Sequence, residues 1–122
     1  MFILLDNSAD DKIIIHARLD TDVVQHSFLS VEHSVVSAVQ HFLSKVGIGL
    51  SGLKGMAVVI GKGRFTSTRV ATTVANVLSY VFKIPVVGVE TSECEWWDKI
   101  ASADAGKYIT AKYSGEPNIG GK

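Results

Sequence analysis

A glycine-containing turn near the middle of the chain has the residue types that bind anions. The turn, residues 61–66 (Gly-Lys-Gly-Arg-Phe-Thr), follows a short apolar run and precedes a helical pattern. Backbone N–H groups at a strand-to-helix turn can hold an anion. The turn is neither a Walker A loop nor a G-x-G-x-x-G fingerprint, because position 66 is threonine. Two interpretations stay open, a structural tight turn and an anion site. The anion site would comprise Gly61, Gly63, Arg64 and Thr66.

The four histidines do not follow a metal-binding pattern. His33 and His41 are eight residues apart on one predicted helix, a separation of two turns that we expect to be too large for shared ligation. The chain has no His-x-x-x-His pair, and His16 and His26 lie on predicted neighbouring strands. We expect all four to be structural or solvated rather than metal ligands.

The carboxylates and the single cysteine also lack the neighbours that catalysis needs. Asp6 with Asp10 and Asp11 is comparable to the start of a Mg²⁺ carboxylate set, but the latter two lie in a predicted turn. No later acid lies on a core strand until Glu90. Cys94 stands between two glutamates, which disfavour a reactive thiolate. We therefore predict no catalytic residue, no metal and no cofactor.

The composition is that of one folded domain with an uneven distribution of charge. The 122 residues are 47% hydrophobic and 20% charged, which is unlike a disordered chain. The net charge is zero, yet residues 34–89 carry six cations and no acid, whereas residues 1–33 have a net charge of −4 and residues 90–122 one of −2. The acid-free segment is either mostly buried or faces an acidic partner.

The sequence has no pattern typical of a membrane or secreted protein. One cysteine excludes an internal disulfide framework. No apolar run reaches the ~18 residues that span a bilayer, and the first residues lack the basic region of a signal peptide. We expect a cytoplasmic protein without membrane association.

Five short apolar runs predict the strands. Residues 2–5, 12–19 and 23–29 are β-branched runs separated by polar turns, which predicts an antiparallel meander. Residues 56–60 and 86–89 are continuous apolar runs, typical of buried strands. The helical pattern between these two runs predicts a parallel pair with a right-handed crossover.

Apolar residues at helical spacing predict two helices. The first, 33–47, can be capped by Ser30 or Ser34. The second, 66–83, can be capped by Thr66 or Ser67 and ends before Pro85. The order β-β-β-α-β-α-β follows.

The faces of both helices predict a protein interface. On the second helix we expect the stripe of Val70, Val74, Val77, Leu78 and Val81 to face the core. The opposite face is polar but uncharged between its ends, which favours a buried contact over a solvated surface. The predicted interface residues are Val36, Val39, Gln40, Leu43, Arg69, Thr72, Thr73, Asn76 and Tyr80.

Four segments, in order, resemble motifs of the TsaB/YeaZ family, which is part of the glycoprotease-like branch of the actin/Hsp70/sugar-kinase (ASKHA) superfamily. Residues 5–8 (Leu-Asp-Asn-Ser) correspond to a strand that ends in Asp-Thr-Ser, and residues 32–34 (Glu-His-Ser) to the start of the first helix. Residues 61–69 correspond to Gly-Pro-Gly-Ser-Phe-Thr-Gly-x-Arg, and residues 84–89 to Ile-Pro-Val-x-Gly-Val. Lys62, Arg64 and Ser67 depart from that pattern.

The resemblance implies a fold and a role. It implies a ribonuclease-H-like single lobe with a five-stranded mixed sheet over residues 1–93, followed by a C-terminal extension, 94–122. In the extension we expect a short helix at 94–102 and an edge strand at 108–113. The family's members are non-catalytic partners of TsaD enzymes, which make N6-threonylcarbamoyladenosine (t6A) in tRNA, and they form dimers largely through the two helices of this lobe.

The resemblance also implies what is lost. Only 33 residues follow Val89, so we expect the second lobe, and with it the nucleotide cleft between two lobes, to be missing. The expected protein is a scaffold that forms a homodimer or pairs with a TsaD-like enzyme and associates with tRNA indirectly. A nucleotide- or anion-binding module that uses the turn 61–69 is the alternative, and direct RNA contact by the acid-free segment is a third hypothesis.

Overall fold

The computed structural model describes residues 1–47, 49, 52–60 and 65–106, with only the backbone described at 65–67. The predicted strand at 108–113 lies outside this part of the chain. The elements, in chain order, are β1 (Phe2–Asp6), β2 (Lys12–Leu19), β3 (Asp22–Leu29), α1 (Val35–Lys45), β4 (Gly55–Val59), α2 (Phe65–Phe82), β5 (Val86–Val89) and α3 (Trp96–Ala101).

The strands form one mixed sheet in the order β3-β2-β1-β4-β5. β2 pairs antiparallel with both β1 and β3, with Leu4 opposite His16 and His16 opposite Gln25. β4 lies parallel to β1 and to β5. The tight turn at Asp20, which has a φ of 56°, joins β2 to β3. The predicted element order and the five-stranded mixed sheet of a ribonuclease-H-like lobe are confirmed.

The first face of the sheet carries α1 and α2 and holds the larger core. Side chains of alternate strand residues, such as Ile3 and Leu5 of β1, point to this face because successive residues of a strand project to opposite sides. They pack against Val39 and Phe42 of α1 and Ala75 of α2. Burial of this apolar surface supplies most of the driving force that holds the helices on the sheet.

The second face carries α3, so the predicted short helix in the C-terminal extension is integral to the fold. Trp96 and Ile100 of α3 are buried against Leu4 and other side chains of this face. Gly55 at the start of β4 lies under Ile100, and a Cβ at that position would collide with the Ile100 side chain. The helix therefore approaches the sheet closely because residue 55 has no side chain.

The starts of the helices differ slightly from the predicted ones. Ser34 is the N-cap of α1, and its hydroxyl accepts a hydrogen bond from the Ser37 N–H at 3.1 Å. Helix α2 begins at Phe65, so the predicted caps Thr66 and Ser67 belong to its first turn and are not caps. Each strand lies within one residue of its predicted bounds, because the apolar runs are short and end at polar turns.

Candidate interaction surface on the two helices

The side of α2 that faces the sheet is built from small residues. Thr68, Ala71, Thr72, Ala75 and Ser79 are at most 5% exposed. The buried hydroxyls are satisfied by backbone carbonyls: Thr72 Oγ1 donates to the Thr68 oxygen at 2.8 Å, and Ser79 Oγ donates to the Ile84 oxygen. Small side chains and internally bonded hydroxyls let the helix lie close to the sheet without an unsatisfied polar group.

The predicted orientation of α2 is therefore wrong in part. Val70, Val77 and Val81, which we expected in the core, are 43%, 54% and 57% exposed, and Tyr80 between them is 71% exposed. Val74 and Leu78 of the same stripe are half-buried. The outward side of α2 thus exposes apolar side chains beside polar ones that we expected there, such as Thr73. Exposed apolar side chains grouped on one helix are typical of a surface that contacts a partner.

Helix α1 extends this surface. Val36 is 49% exposed and Gln40 is exposed. Together with Val74 and Leu78 of α2, and with the edge of Val39, these residues line a shallow groove between the two helices. A second, open depression lies on the same stretch of α2 and is lined by Thr73, Asn76, Val77 and Tyr80. We call the exposed part of this region the helical surface: Val36, Gln40, Val70, Thr73, Val74, Val77, Leu78, Tyr80 and Val81.

The predicted interface residues divide into two groups. Val39 and Leu43 of α1 and Thr72 of α2 are at most 5% exposed and belong to the core of the lobe, so they are not part of the helical surface. Val39 and Leu43 belong to the apolar side of α1 that packs on the sheet, and Thr72 is buried because α2 turns the side of Ala71 and Ala75 toward the sheet. The predicted residues that are exposed or half-exposed are Val36, Gln40, Arg69, Thr73, Asn76 and Tyr80.

The anion turn lies mostly outside the described residues. Gly61, Gly63 and Arg64 are not described, and the backbone of Thr66 is helical. The hypothesis of an anion site therefore stays a prediction.

Two histidines meet in a way that the sequence did not indicate. The rings of His33 and His41 are 4.8 Å apart between centroids, at an interplanar angle of 76°. His33 precedes the N-cap of α1, so the helical separation that we assumed does not apply to it. Its Nδ1 lies 3.0 Å from Ser37 Oγ, and its ring packs edge-on against Phe28 at 5.2 Å. These contacts fix the start of α1 against β3.

His16 lies half-buried on β2, and its Nε2 atom is buried without a hydrogen-bond partner among the residues that the structure describes. Burial lowers the pKa of His16 from the ordinary value of 6.5, and the nearby Asp6 carboxylate acts in the opposite direction. The neutral ring is therefore favoured in the folded state.

The remaining chemical candidates make local structural contacts. Asp6 Oδ1 accepts hydrogen bonds from the backbone N–H of Ser8, at 3.0 Å, and from its hydroxyl. The thiol of Cys94 is half-buried and donates to the Thr91 carbonyl oxygen at 3.2 Å. Within the described ranges, no three His, Cys, Asp or Glu side chains converge to hold a metal ion. Nor does any helix in those ranges have the length and apolarity needed to cross a membrane.

Comparisons with known proteins give a family and a fold. The family model described as TsaD, tRNA N6-adenosine threonylcarbamoyltransferase, matches residues 29–96, more than half of the chain. YeaZ from Pseudomonas aeruginosa matches with 23% identity and a TM-score of 0.63, over 72% of this chain and 42% of that one. A second structure, described as an uncharacterized protein with similarity to peptidase YEAZ from Pseudomonas aeruginosa, matches with 24% identity, the same TM-score and the same coverage. No curated protein matches the chain.

These matches confirm the expected resemblance at the level of fold. The chain spans about two-fifths of the length of the two solved structures. The matched region of the family model contains α1, β4, α2 and β5, and therefore the helical surface.

Proposed function

This chain belongs to the TsaD family, tRNA N6-adenosine threonylcarbamoyltransferase, and from that premise we propose that it is a non-catalytic scaffold of the t6A machinery. It would act in the way of a TsaB subunit, by forming a dimer through its helical surface. The partner is a second copy of the chain or a TsaD-like enzyme, and contact with tRNA is made through that enzyme.

The observation that carries the proposal is the exposed apolar side of α2. Val70, Val77, Tyr80 and Val81 are exposed on a single helix. Val74 and Leu78 of the same helix line a groove with Val36 of α1. Lone exposed apolar residues are common on monomers, but a group of them on one side of a helix is costly to hydrate. Protein interfaces are depleted of charge at their centre and enriched in tyrosine, as this surface is.

The described residues form one sheet with helices on both faces, which is a single lobe. We propose that the part this lobe plays is contact with a partner protein through the helical surface.

Solution mass measured by light scattering tests the proposal. We expect the chain to be a homodimer, or to form a heterodimer when mixed with the TsaD-like protein of the same organism. Val77→Asp places a charge at the centre of the helical surface and should give a monomer that binds neither partner. Val31→Asp is the matched control, because Val31 is 90% exposed in the turn between β3 and α1 and lies outside the surface.

Three outcomes contradict the proposal. A wild-type chain that stays monomeric alone and with the TsaD-like protein has no such partner. If the Val77→Asp variant dimerises as the wild type does, the helical surface is not the dimer interface. Equal loss of dimer in Val77→Asp and Val31→Asp would assign the effect to added charge rather than to the surface.

A further inference from the structure

We propose that His33 and His41 form a two-nitrogen binding site for a late transition metal ion such as Zn²⁺, with water completing its coordination. The inference does not rest on the proposed function, because neither histidine belongs to the helical surface. Our expectation against shared ligation rested on the eight positions between the two residues. In the structure that objection is removed, since the centroids of the two rings are 4.8 Å apart.

The conformation at the start of α1 brings the two rings together. His33 precedes the N-cap Ser34, so it does not follow the rise of the helix. His41 lies one turn after Ser37 on the same side of α1, and the His33 ring contacts the Ser37 hydroxyl. The chain therefore places His33 over the side of the helix that carries His41, whereas a continuous helix would separate them by about 12 Å along its axis.

The distance between the rings matches that of two imidazoles bound to one ion. Zinc binds imidazole nitrogen at about 2.0–2.1 Å, so the ion lies roughly 3.2 Å from the centroid of each ring. Bond angles of about 90–109° then separate the centroids by about 4.5–5.2 Å, a range that includes the observed 4.8 Å. The rings are edge-to-face, and His41 is exposed. Its ring can therefore rotate to direct a nitrogen at the ion without disturbing the core.

His33 is held as metal-binding histidines usually are. Its ring packs edge-on against Phe28 at 5.2 Å, and its Nδ1 lies 3.0 Å from Ser37 Oγ. The hydroxyl can accept the proton of Nδ1, and the lone pair is then on Nε2, the nitrogen that would bind the metal. Such a hydrogen bond at the other ring nitrogen orients metal-binding histidines and fixes their tautomer. His33 is thus positioned before an ion binds, and only His41 has to be ordered.

The ligand set decides which ions fit. Imidazole nitrogen favours Zn²⁺, Ni²⁺ and Cu²⁺, whereas Mg²⁺ and Ca²⁺ prefer oxygen ligands. Glu32 and Lys45 line the same depression as the two rings and carry opposite charges, so the nitrogens rather than a net charge must supply the affinity. No third His, Cys, Asp or Glu side chain of the described ranges converges on the pair, which leaves the remaining positions to water.

Nuclear magnetic resonance of the histidine ring nitrogens in the full chain tests the site. On titration with Zn²⁺ at pH 7.5 we expect the signals of His33 and His41 to shift together and to saturate at one ion per chain. Addition of EDTA should reverse the shift, and Mg²⁺ should shift neither signal.

Two variants compare the loss of an imidazole inside and outside the site. His41→Gln, at an exposed position that tolerates the change, should weaken Zn²⁺ binding measured by calorimetry at least about tenfold. His16→Gln is the matched control. His16 is paired with Leu4 across the sheet and so lies on its second face, away from α1. This variant should bind Zn²⁺ as the wild type does.

Two results overturn the proposal. If the His33 and His41 signals do not change in a large excess of Zn²⁺, the two rings make a packing contact only. If Zn²⁺ binds equally well to the wild type and to His41→Gln, another group, such as the Cys94 thiol, holds the ion.

Discussion

The start of the first helix depends on one hydroxyl. Ser34 has extended backbone angles and its side chain accepts the Ser37 N–H, so it satisfies one of the N–H groups that a helix leaves unpaired at its start. His33 and Ser37 add a side-chain contact at the same turn. The junction between the meander and α1 is therefore held by short-range polar contacts as well as by the burial of Val35 and Phe28 in the core.

Loss of this cap should destabilise the fold measurably. Ser34→Ala removes the acceptor, and we expect the free energy of unfolding to fall by about 1 kcal/mol. Ser44→Ala, at an exposed site of the same helix, should change it by no more than ~0.5 kcal/mol. Urea denaturation followed by circular dichroism measures both, and equal effects of the two substitutions would argue against capping by Ser34.

His16 should make stability depend on pH. Burial lowers the pKa of His16 in the folded state. At pH values above 6.5, the ordinary pKa of histidine, the ring is neutral in both the folded and the unfolded chain, and its burial does not reduce the stability. As the pH falls below 6.5 toward the lowered pKa, the free energy of unfolding decreases, because the unfolded chain binds the proton more readily than the folded one. We expect the thermal midpoint of unfolding to decrease when the pH is lowered from 7.5 to 5. Part of this decrease should be absent in the His16→Gln variant. An identical pH profile in the variant would show that His16 is not its source.

At the scale of elements, the strands could be predicted from the sequence, whereas the orientation of α2 could not. Strand bounds are set by local runs of β-branched residues between turns, which are visible in the sequence. The face of α2 on the sheet is chosen by size: Ala71 and Ala75 allow a close approach, and Thr72 and Ser79 bond to backbone carbonyls. A ranking by hydrophobicity selects the valines instead, but Val70, Val77 and Val81 are exposed on the outward side of the helix.

Overpacking tests this orientation. Ala75 is fully buried, so Ala75→Leu should push α2 away from the sheet and lower the free energy of unfolding by about 1–3 kcal/mol. Thr73→Leu adds a similar side chain on the exposed side of the same helix and should change it much less. Chemical denaturation at a protein concentration below that at which the chain dimerises compares the two variants. A larger loss of stability in Thr73→Leu than in Ala75→Leu would support the orientation of α2 that was expected from the sequence.

The close packing of α3 on the sheet is testable by a double-mutant cycle. Gly55→Ala forces the Ile100 side chain to move and should cost about 1–3 kcal/mol. Ile100→Ala leaves a cavity under α3 and should cost about 2–5 kcal/mol. In the double variant the new methyl group occupies part of that cavity, so we expect a cost below the sum of the two by ~1 kcal/mol or more. Strict additivity would mean that the two side chains do not meet.

At the scale of the whole molecule, two faces of the sheet are covered in different ways. The first face carries two long helices whose outer sides expose the helical surface, and the second carries a single short helix, α3. The acid-free segment 34–89 contains both long helices. Two cations of this segment, Arg69 in the first turns of α2 and Lys83 just after its end, are exposed at the two ends of the helix. Charge at the rim of an apolar surface is an arrangement that orients partners in known interfaces.

If the helical surface joins two copies, folding and association are linked. A dimer that binds folded chains gains stability with concentration, so a tenfold increase above the dissociation constant should raise the thermal midpoint by about 2–5 °C. Val77→Asp should abolish that dependence because it removes association, and its midpoint should equal that of the wild type at high dilution. Val31→Asp should retain the dependence. The contrary result is a wild-type midpoint that stays constant over two decades of protein concentration although light scattering shows a dimer. The dimer would then form without stabilising the lobe, and its interface would have to lie away from α1 and α2.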